Sequence, residues 1–370
     1  MPMTCWIEIN RAALRHNFAA IQNLVGDTKI IAVVKANAYG CGALECSRVF
    51  SDAGAIMLAV TRVEEALPLR EGGIETPILL LSPSLPDELE TVVKLDLTAS
   101  ISSFEEAEKL NQIAAKLGKT AKIHQKINTG MNRFGARPEL AGEIAAKLRR
   151  LENISLDGAF THFARATDTN HSPTRDQWEE FQNATCGLKN ITLHVCNSAA
   201  LLRFPEMRGD AVRPGTLLYG QYPVPELAVI ADLRLQDPFK AKERVVAIQN
   251  LKRGEKFGYG SEWSAPRDSK LAILAVGWAD GLAMEPRARA ESPLQAVKSG
   301  LERAARLQKN PNANRMVTIR DQKAPIVGRI AMQTCAIDVS AIEGVQIGDE
   351  VVVPMRRLAA GQNLARVYVD

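Results

Sequence analysis

The sequence predicts an α/β protein: a (β/α)8 barrel of the TIM type followed by a smaller, mostly β domain. Three observations carry that expectation. Up to about residue 220, short apolar runs alternate with segments of helical period. Eight such apolar runs occur there, the number a closed parallel barrel requires. Beyond about residue 229, strand-like runs separated by turn signals take over. A chain of 370 residues has room for roughly two domains. The division falls at 1–228 and 229–370, with the option that the first strand packs on the second domain.

In chain order, the barrel runs are "KIIAVVKA", "AIMLAV", "PILLLS", "LTASIS", "AKIHQKI", "ISLDGAF", "ITLHVC" and the weaker "GDAVRPG". Helical periodicity lies between them in "RAALRHNFAAIQNLVG", "TRVEEALPLREG", "SFEEAEKLNQIAAKLG" and "PELAGEIAAKLRRL". Gly26 and Gly118 close two of these helices, where the left-handed cap conformation favours a residue without Cβ. Ser103 is placed to cap the helix that opens "SSFEEAEKL", with acids in its first turn. In the second domain "AVIADLRL", "ERVVAIQNL", "KLAILAVGW", "RMVTIRD", "PIVGRIAM", "CAIDV" and "DEVVVP" read as strands, with "KRGE" and "IGDE" as turns. The tract "VKSGLERAARLQKNPNANR" reads as a polar surface excursion with helical character. Spacing alone does not decide whether the sheet closes.

Hydrophobic residues make up 46% of the chain and charged residues 24%, the proportions of a soluble globular protein. No apolar run approaches the ~20 residues of a membrane span. The opening "MPMTCWIEIN" has neither a basic nor an apolar segment of the secretory type. A net charge of +4 from interspersed residues makes no nucleic-acid stripe. The 6 cysteines form no CxxC and no metal-ligand spacing with the 5 histidines. They read as free thiols, and a cytoplasmic protein without a metal is the expectation.

In a barrel, the C-terminal ends of the strands face the mouth where chemistry occurs. Lys35 sits late in the first barrel run, inside "AVVKANAYGCG". A lone lysine there more often buries its stem and solvates its head. Other reactive residues fall at strand ends too: Lys126 with Arg133 in "QKINTGMNRFG", His162 in "GAFTHFA", Asn197 and Ser198 in "HVCNSAA", and Arg213 with Gly215 in "AVRPGTLLYG". Each alone has a plain structural explanation, such as a satisfied core histidine or a helix-capping serine. Their shared location at one barrel end argues for a site. Ser198 and the backbone near Gly215 are suited to donate to a phosphate.

The ordered set "VVKANAYGCG", "KINTGMNRFG", "THFA", "NSAA", "RPG" with "LYG", "GYG", "GWADG" and "VGRIAM" resembles the alanine racemase family of fold-type III pyridoxal phosphate enzymes. The resemblance implies racemisation of alanine by two bases, with pyridoxal 5'-phosphate carried on Lys35. It implies that Tyr39, Ser198, Gly215 and Thr216 hold the cofactor phosphate, and that Asn197 belongs to the same group. Arg213 would face the pyridine nitrogen, His162 would support Arg213, and Arg133 would touch the phenolic oxygen and the substrate. Lys126 matches a lysine that is carbamylated in many members. Tyr259 matches the second base, Met332 a backbone contact to the substrate carboxylate. A homodimer with shared sites is implied as well.

The chain departs from the family pattern at Cys41, where a histidine is usual, and at Trp278 and Gln333. Its end, "MRRLAAGQNLARVYVD", lacks the usual "NYE"-type segment. Three alternatives stay open at this point: a racemase of another small amino acid such as serine, a fold-type III decarboxylase, and a non-catalytic cofactor-binding protein. Arg213 and Tyr259 oppose the decarboxylase, and the second domain opposes simple binding.

Overall fold

Val, Ile, Leu and Ala dominate the eight barrel runs, as expected of parallel strands covered on both faces. In the computed structural model, which describes residues 3–284, 297, 300–301, 315–361 and 363–370, each of them becomes a strand. After an N-terminal strand β1 (Cys5–Asn10) come β2 (Lys29–Val33), β3 (Met57–Val60), β4 (Ile78–Leu80), β5 (Leu97–Ile101), β6 (Ala121–Lys126), β7 (Ile154–Phe160), β8 (Thr192–Asn197) and β9 (Ala211–Arg213). All neighbours from β2 to β9 pair in parallel, and β9 pairs β2 through Lys29–Ala211 and Ile30–Val212. The sheet is therefore a closed barrel.

Helices alternate with the strands. Arg11–Val25 is capped by the Asn10 side chain and ends at Gly26 with φ 63°. Phe104–Lys116 is capped by Ser103, whose side chain accepts from the Glu106 amide. The Gly26 closure and the Ser103 cap follow the sequence expectation.

The molecule divides into two compact units. The barrel unit is Asn10–Pro238 with Asp370, and the β unit is Met1–Ile9 with Phe239–Val369. The observed change of unit thus falls at 238/239, against the 228/229 read from the sequence, and residues 1–9 go with the β unit. The reason for the first difference lies in "AVIADLRL", which is not a strand. Leu227–Ile230 forms one short helical turn, with Val229 88% exposed. The backbone after it bonds to barrel side chains: Leu233 N donates to the Tyr222 hydroxyl, and Gln236 exchanges two bonds with the Asn17 carboxamide. With its polar groups satisfied that way, the segment has no need of a sheet partner.

In the β unit, the 13-residue β10 (Phe239–Leu251) is the organising strand. It pairs antiparallel with β1, where Cys5 faces Glu243. After the two short strands β11 (Lys256–Phe257) and β12 (Trp263–Ser264), which pair with each other, come β13 (Ser269–Leu274), β14 (Met316–Ile319), β15 (Gln322–Val327), β16 (Cys335–Asp338), β17 (Glu350–Val353) and β18 (Ala365–Val369). The large sheet runs β13-β16-β15-β14-β17-β10-β1-β18, and β10 also meets β13. Most of the polar tract "VKSGLERAARLQKNPNANR" lies outside the described residues. Among the described residues, no helix is long and apolar enough to cross a membrane.

Candidate active site

Strand β2 stops at Val33, and the chain then enters a turn that few sequences tolerate. Ala36, Asn37, Ala38 and Tyr39 have φ of 52°, 54°, 52° and 53°. This is a turn of left-handed helix, which costs about 1–2 kcal/mol per non-glycine residue because Cβ crowds the following carbonyl oxygen. The turn is braced. Gly40 N donates to the carbonyls of Ala36 and Asn37, at 3.1 and 3.0 Å, and the Asn37 side chain accepts from Ala43 N at 2.8 Å. It presents Lys35 at its start and Tyr39 at its end, and both line one cavity of about 500 Å³ at the C-terminal ends of the strands.

The cavity collects all ten barrel residues singled out in the sequence: Lys35, Tyr39, Lys126, Arg133, His162, Asn197, Ser198, Arg213, Gly215 and Thr216. One end is built from small polar groups. The Ser198 hydroxyl accepts from Gly215 N at 2.8 Å. A Cβ on Gly215 would collide with the Tyr39 hydroxyl oxygen, so glycine is what lets that ring reach in. The Thr216 hydroxyl is buried without a hydrogen-bond partner. Asn197 is engaged differently. Its carboxamide oxygen accepts from Ala199 N and Ala200 N at 3.0 Å, capping the short helix that carries Ser198. The Tyr39 ring meets that of Tyr219 at 4.9 Å, tilted by 34°, and the Tyr219 hydroxyl donates to Val33 O.

Arg213 is the most constrained of the set, 3% exposed at the end of β9. Its guanidinium donates to His194 Nδ1 at 2.7 Å, to Thr161 O at 2.7 Å, to Val195 O at 3.1 Å, and to His194 O. A guanidinium only donates, so His194 Nδ1 accepts and its proton sits on Nε2. That nitrogen lies 2.8 Å from His124 Nδ1 and donates to it. The histidine supporting Arg213 is therefore His194 rather than His162. His162 lines the cavity, and its carbonyl accepts from the Gln177 side chain. His124 and His194 were not singled out in the sequence. The one signal for His124 was the strand period, which puts it on the same face of β6 as Lys126.

Four cations, Lys35, Lys126, Arg133 and Arg213, line the cavity, and none of the described side chains lining it is acidic. Burial lowers the Lys35 ammonium, helped by Arg133. Burial also brings Lys126 down to about 7, with Arg213, Arg133 and Lys35 adding repulsion. Its Nζ donates to Leu81 O at 3.1 Å and sits 4.3 Å from the Phe160 ring centre. His162 falls to about 3 for the same reasons, so it is neutral. Burial brings Arg213 to about 10, still charged at neutral pH. The Tyr39 phenol is raised to about 12 and stays a donor. This arrangement can hold an anionic, phosphate-bearing group at one end and offers it a weakened lysine.

The other singled-out residues belong to the β unit. Tyr259 follows Gly258 in a tight turn, 71% exposed, and lines a cavity of about 370 Å³ with Phe257, Arg329, Thr334 and Cys335. Met332 is 57% exposed, and its carbonyl accepts from Ala279 N at 3.0 Å. Gly277 passes so close to the Ala331 and Met332 carbonyls that a Cβ there would collide with both. Trp278 and Gln333 are exposed beside this crossing.

Comparison with known proteins gives a consistent result. The N-terminal domain of alanine racemase matches residues 9–223, and the C-terminal domain of alanine racemase matches residues 239–366. The alanine racemase of Methanococcus maripaludis is 37% identical over 355 residues, spanning 94% of this chain and 88% of its own. Alanine racemase 2 of Caldanaerobacter subterraneus subsp. tengcongensis is 38% identical over 354 residues, 94% of this chain and 84% of its own. Among solved structures, the alanine racemase of Clostridium difficile superposes with a TM-score of 0.85 at 30% identity, covering 100% of this chain and 96% of that one.

Proposed function

The chain belongs to the alanine racemase family, and from that premise we propose that it interconverts L- and D-alanine, using pyridoxal phosphate held in the barrel cavity. The observation that carries this reading is the cavity itself: a lysine with a lowered pKa, a small polar cup and three further cations lining one space. The orphaned Thr216 hydroxyl and the glycine gap under Tyr39 suit a phosphate seated among Tyr39, Ser198, Gly215 and Thr216.

When bound, the cofactor supplies a sink for the electron pair left on the α-carbon. The rest falls to side chains. Lys35 would carry the cofactor, and its amine would be the base on one face of the α-carbon. Tyr259 is the base on the other face, since inversion needs a proton removed from one side and returned to the opposite one. Arg213, whose guanidinium keeps its protons, would hold the cofactor's ring nitrogen without protonating it, which would weaken the ring as an electron sink. Arg133 orients the substrate carboxylate, aided by the Met332 backbone. Lys126, neutral in part at pH 7, is suited to add carbon dioxide and release a proton, and the resulting carbamate would hold Arg133. Tyr259 is largely exposed on the β unit and is not among the residues lining the barrel cavity. The reading therefore includes a homodimer in which Lys35 of one protomer works with the partner's Tyr259.

The test is a visible spectrum of the purified protein, borohydride reduction with peptide mapping, and a chiral assay over L-alanine, L-serine and longer amino acids. The reading expects a yellow protein, covalent label on Lys35, and alanine as the fastest substrate. Label on Lys126, or a fastest rate with serine, would overturn the assignment of lysine or of substrate respectively.

A further inference from the structure

Four consecutive left-handed residues follow Lys35, and braces within the turn itself do not tie it to the rest of the barrel. The tie comes from Glu65, 29 residues on. Its Oε1 accepts from Ala36 N at 2.6 Å, the first amide of the left-handed turn. Its Oε2 accepts from Thr61 N at 2.8 Å and from Arg62 N at 3.2 Å. Thr61 follows β3 directly, and Arg62 is the residue before the helix Val63–Glu71, so one carboxylate joins the turn to a strand end and a helix start. The three amides point at it from two neighbouring strand ends, β2 and β3, which pair in parallel.

We propose that Glu65 is a positioning residue: its carboxylate anchors the left-handed turn and so sets where Lys35 and Tyr39 stand in the cavity. Glu65 touches neither end of the cavity and is not among its lining residues. It acts through the Ala36 amide. It also places a negative charge that acts on Lys35, opposing the burial and the Arg133 charge that push the ammonium down. The other charged or titratable groups coupled to Lys35 are Lys126 and His162. The geometry explains why a carboxylate is needed. A carboxamide has one acceptor oxygen and cannot serve both the turn and the helix start. An aspartate keeps the charge but is one methylene shorter, so it reaches the helix start and not Ala36.

This proposal rests on the assignment of Lys35 to the cofactor, and the experiment separates the two. Glu65→Gln and Glu65→Asp are compared with wild type and with Glu64→Gln, a neighbouring exposed acid. In the cofactor-free full chain, amide exchange at residues 36–40 is followed, and competitive labelling with acetic anhydride against pH gives the titration of Lys35. Both Glu65 variants should speed exchange at Ala36 at least tenfold. Glu65→Gln should also shift the Lys35 titration to lower pH, whereas Glu65→Asp should leave it within a few tenths. In the holoenzyme, kcat should fall roughly tenfold or more in both variants, with KM changed less. Glu64→Gln should match wild type in every measurement. Wild-type exchange at Ala36 in both Glu65 variants overturns the anchor. Faster exchange together with borohydride label on another lysine upholds the anchor and overturns the role of Lys35 instead. Should Glu65→Gln fail to fold, Glu65→Asp decides the anchor by exchange alone.

Discussion

The charged side chains buried with a shifted ionisation differ in sign between the two units. The barrel buries Lys126 and Arg213 against a cavity lined by cations, whereas the β unit buries Glu243, 0% exposed on β10 with Cys5 facing it from β1. Burial is the largest cause moving all three in the direction of neutrality: Lys126 down to about 7, Arg213 to about 10, Glu243 up to about 7. Judged by shift alone they look equivalent. They differ in what surrounds them. The barrel cations converge on open space with a buried unpartnered hydroxyl at its end. Glu243 lines neither of the two cavities described above and stands among strands, near Cys5, Asp280 and Cys335. A perturbed ionisation marks a site only where a ligand has room to use it.

The largest effect should come from removing either proposed base, one in each unit. Lys35→Ala and Tyr259→Ala proteins, homodimers on the proposed reading, should each lose at least about a thousandfold in turnover, since each would lack one proposed base. Mixing the two and allowing subunit exchange should restore about a quarter of wild-type activity, because about half of the randomly formed dimers are mixed and each has one intact site. No recovery, with exchange confirmed by mass spectrometry, would break the shared-site reading.

Next in size is Arg213→Gln. It leaves the Thr161 and Val195 carbonyls and the His194 ring without a charged donor, and removes the charge that depresses Lys126 and His162. Stability should fall by about 2–4 kcal/mol, and NMR titration should find both groups moved up. Unmoved titrations would mean that the cations do not act as one cluster.

The pH dependence of stability should separate the units. Lys126 is depressed in the folded chain, so between about 7 and its ordinary value of 10.5 the unfolded chain holds more protons, and stability rises with pH across that window. Lys126→Met should abolish a gain on the order of 4 kcal/mol, read as the urea midpoint from pH 7 to 10. Glu243 behaves in the opposite sense. Its folded value is raised, so the folded chain holds more protons between about 4.5 and about 7, and stability falls as pH rises through that window. Glu243→Gln should remove a loss on the order of 3 kcal/mol and stabilise the protein at pH 8. Turnover should stay within about twofold of wild type. Loss of activity in Glu243→Gln would erase the contrast between the units.

Much of this molecule was legible from its residues in order. The eight barrel strands, the Ser103 helix start, the glycine closures at Gly26 and Gly118, and the gathering of Lys35, Lys126 and Arg213 at strand ends all follow from periods of 2 and 3.6 and from cap chemistry. Such signals connect residues at most a few positions apart, so they survive without a fold. "AVIADLRL" shows where they mislead: it has the composition of a strand, yet the Tyr222 hydroxyl bonds its backbone at Ala231 and Leu233, and Asn17 takes Gln236 just beyond it. The partners that complete the site belong to tertiary structure. Glu65 reaches Ala36 across 29 positions and His194 reaches Arg213 across 19, contacts that exist only because the barrel closes and brings strand ends together. The same holds for the ionisations. A lysine or glutamate in the sequence carries its ordinary affinity for protons, and only the packing of other chain segments around Lys126 and Glu243 takes away the water that fixed it.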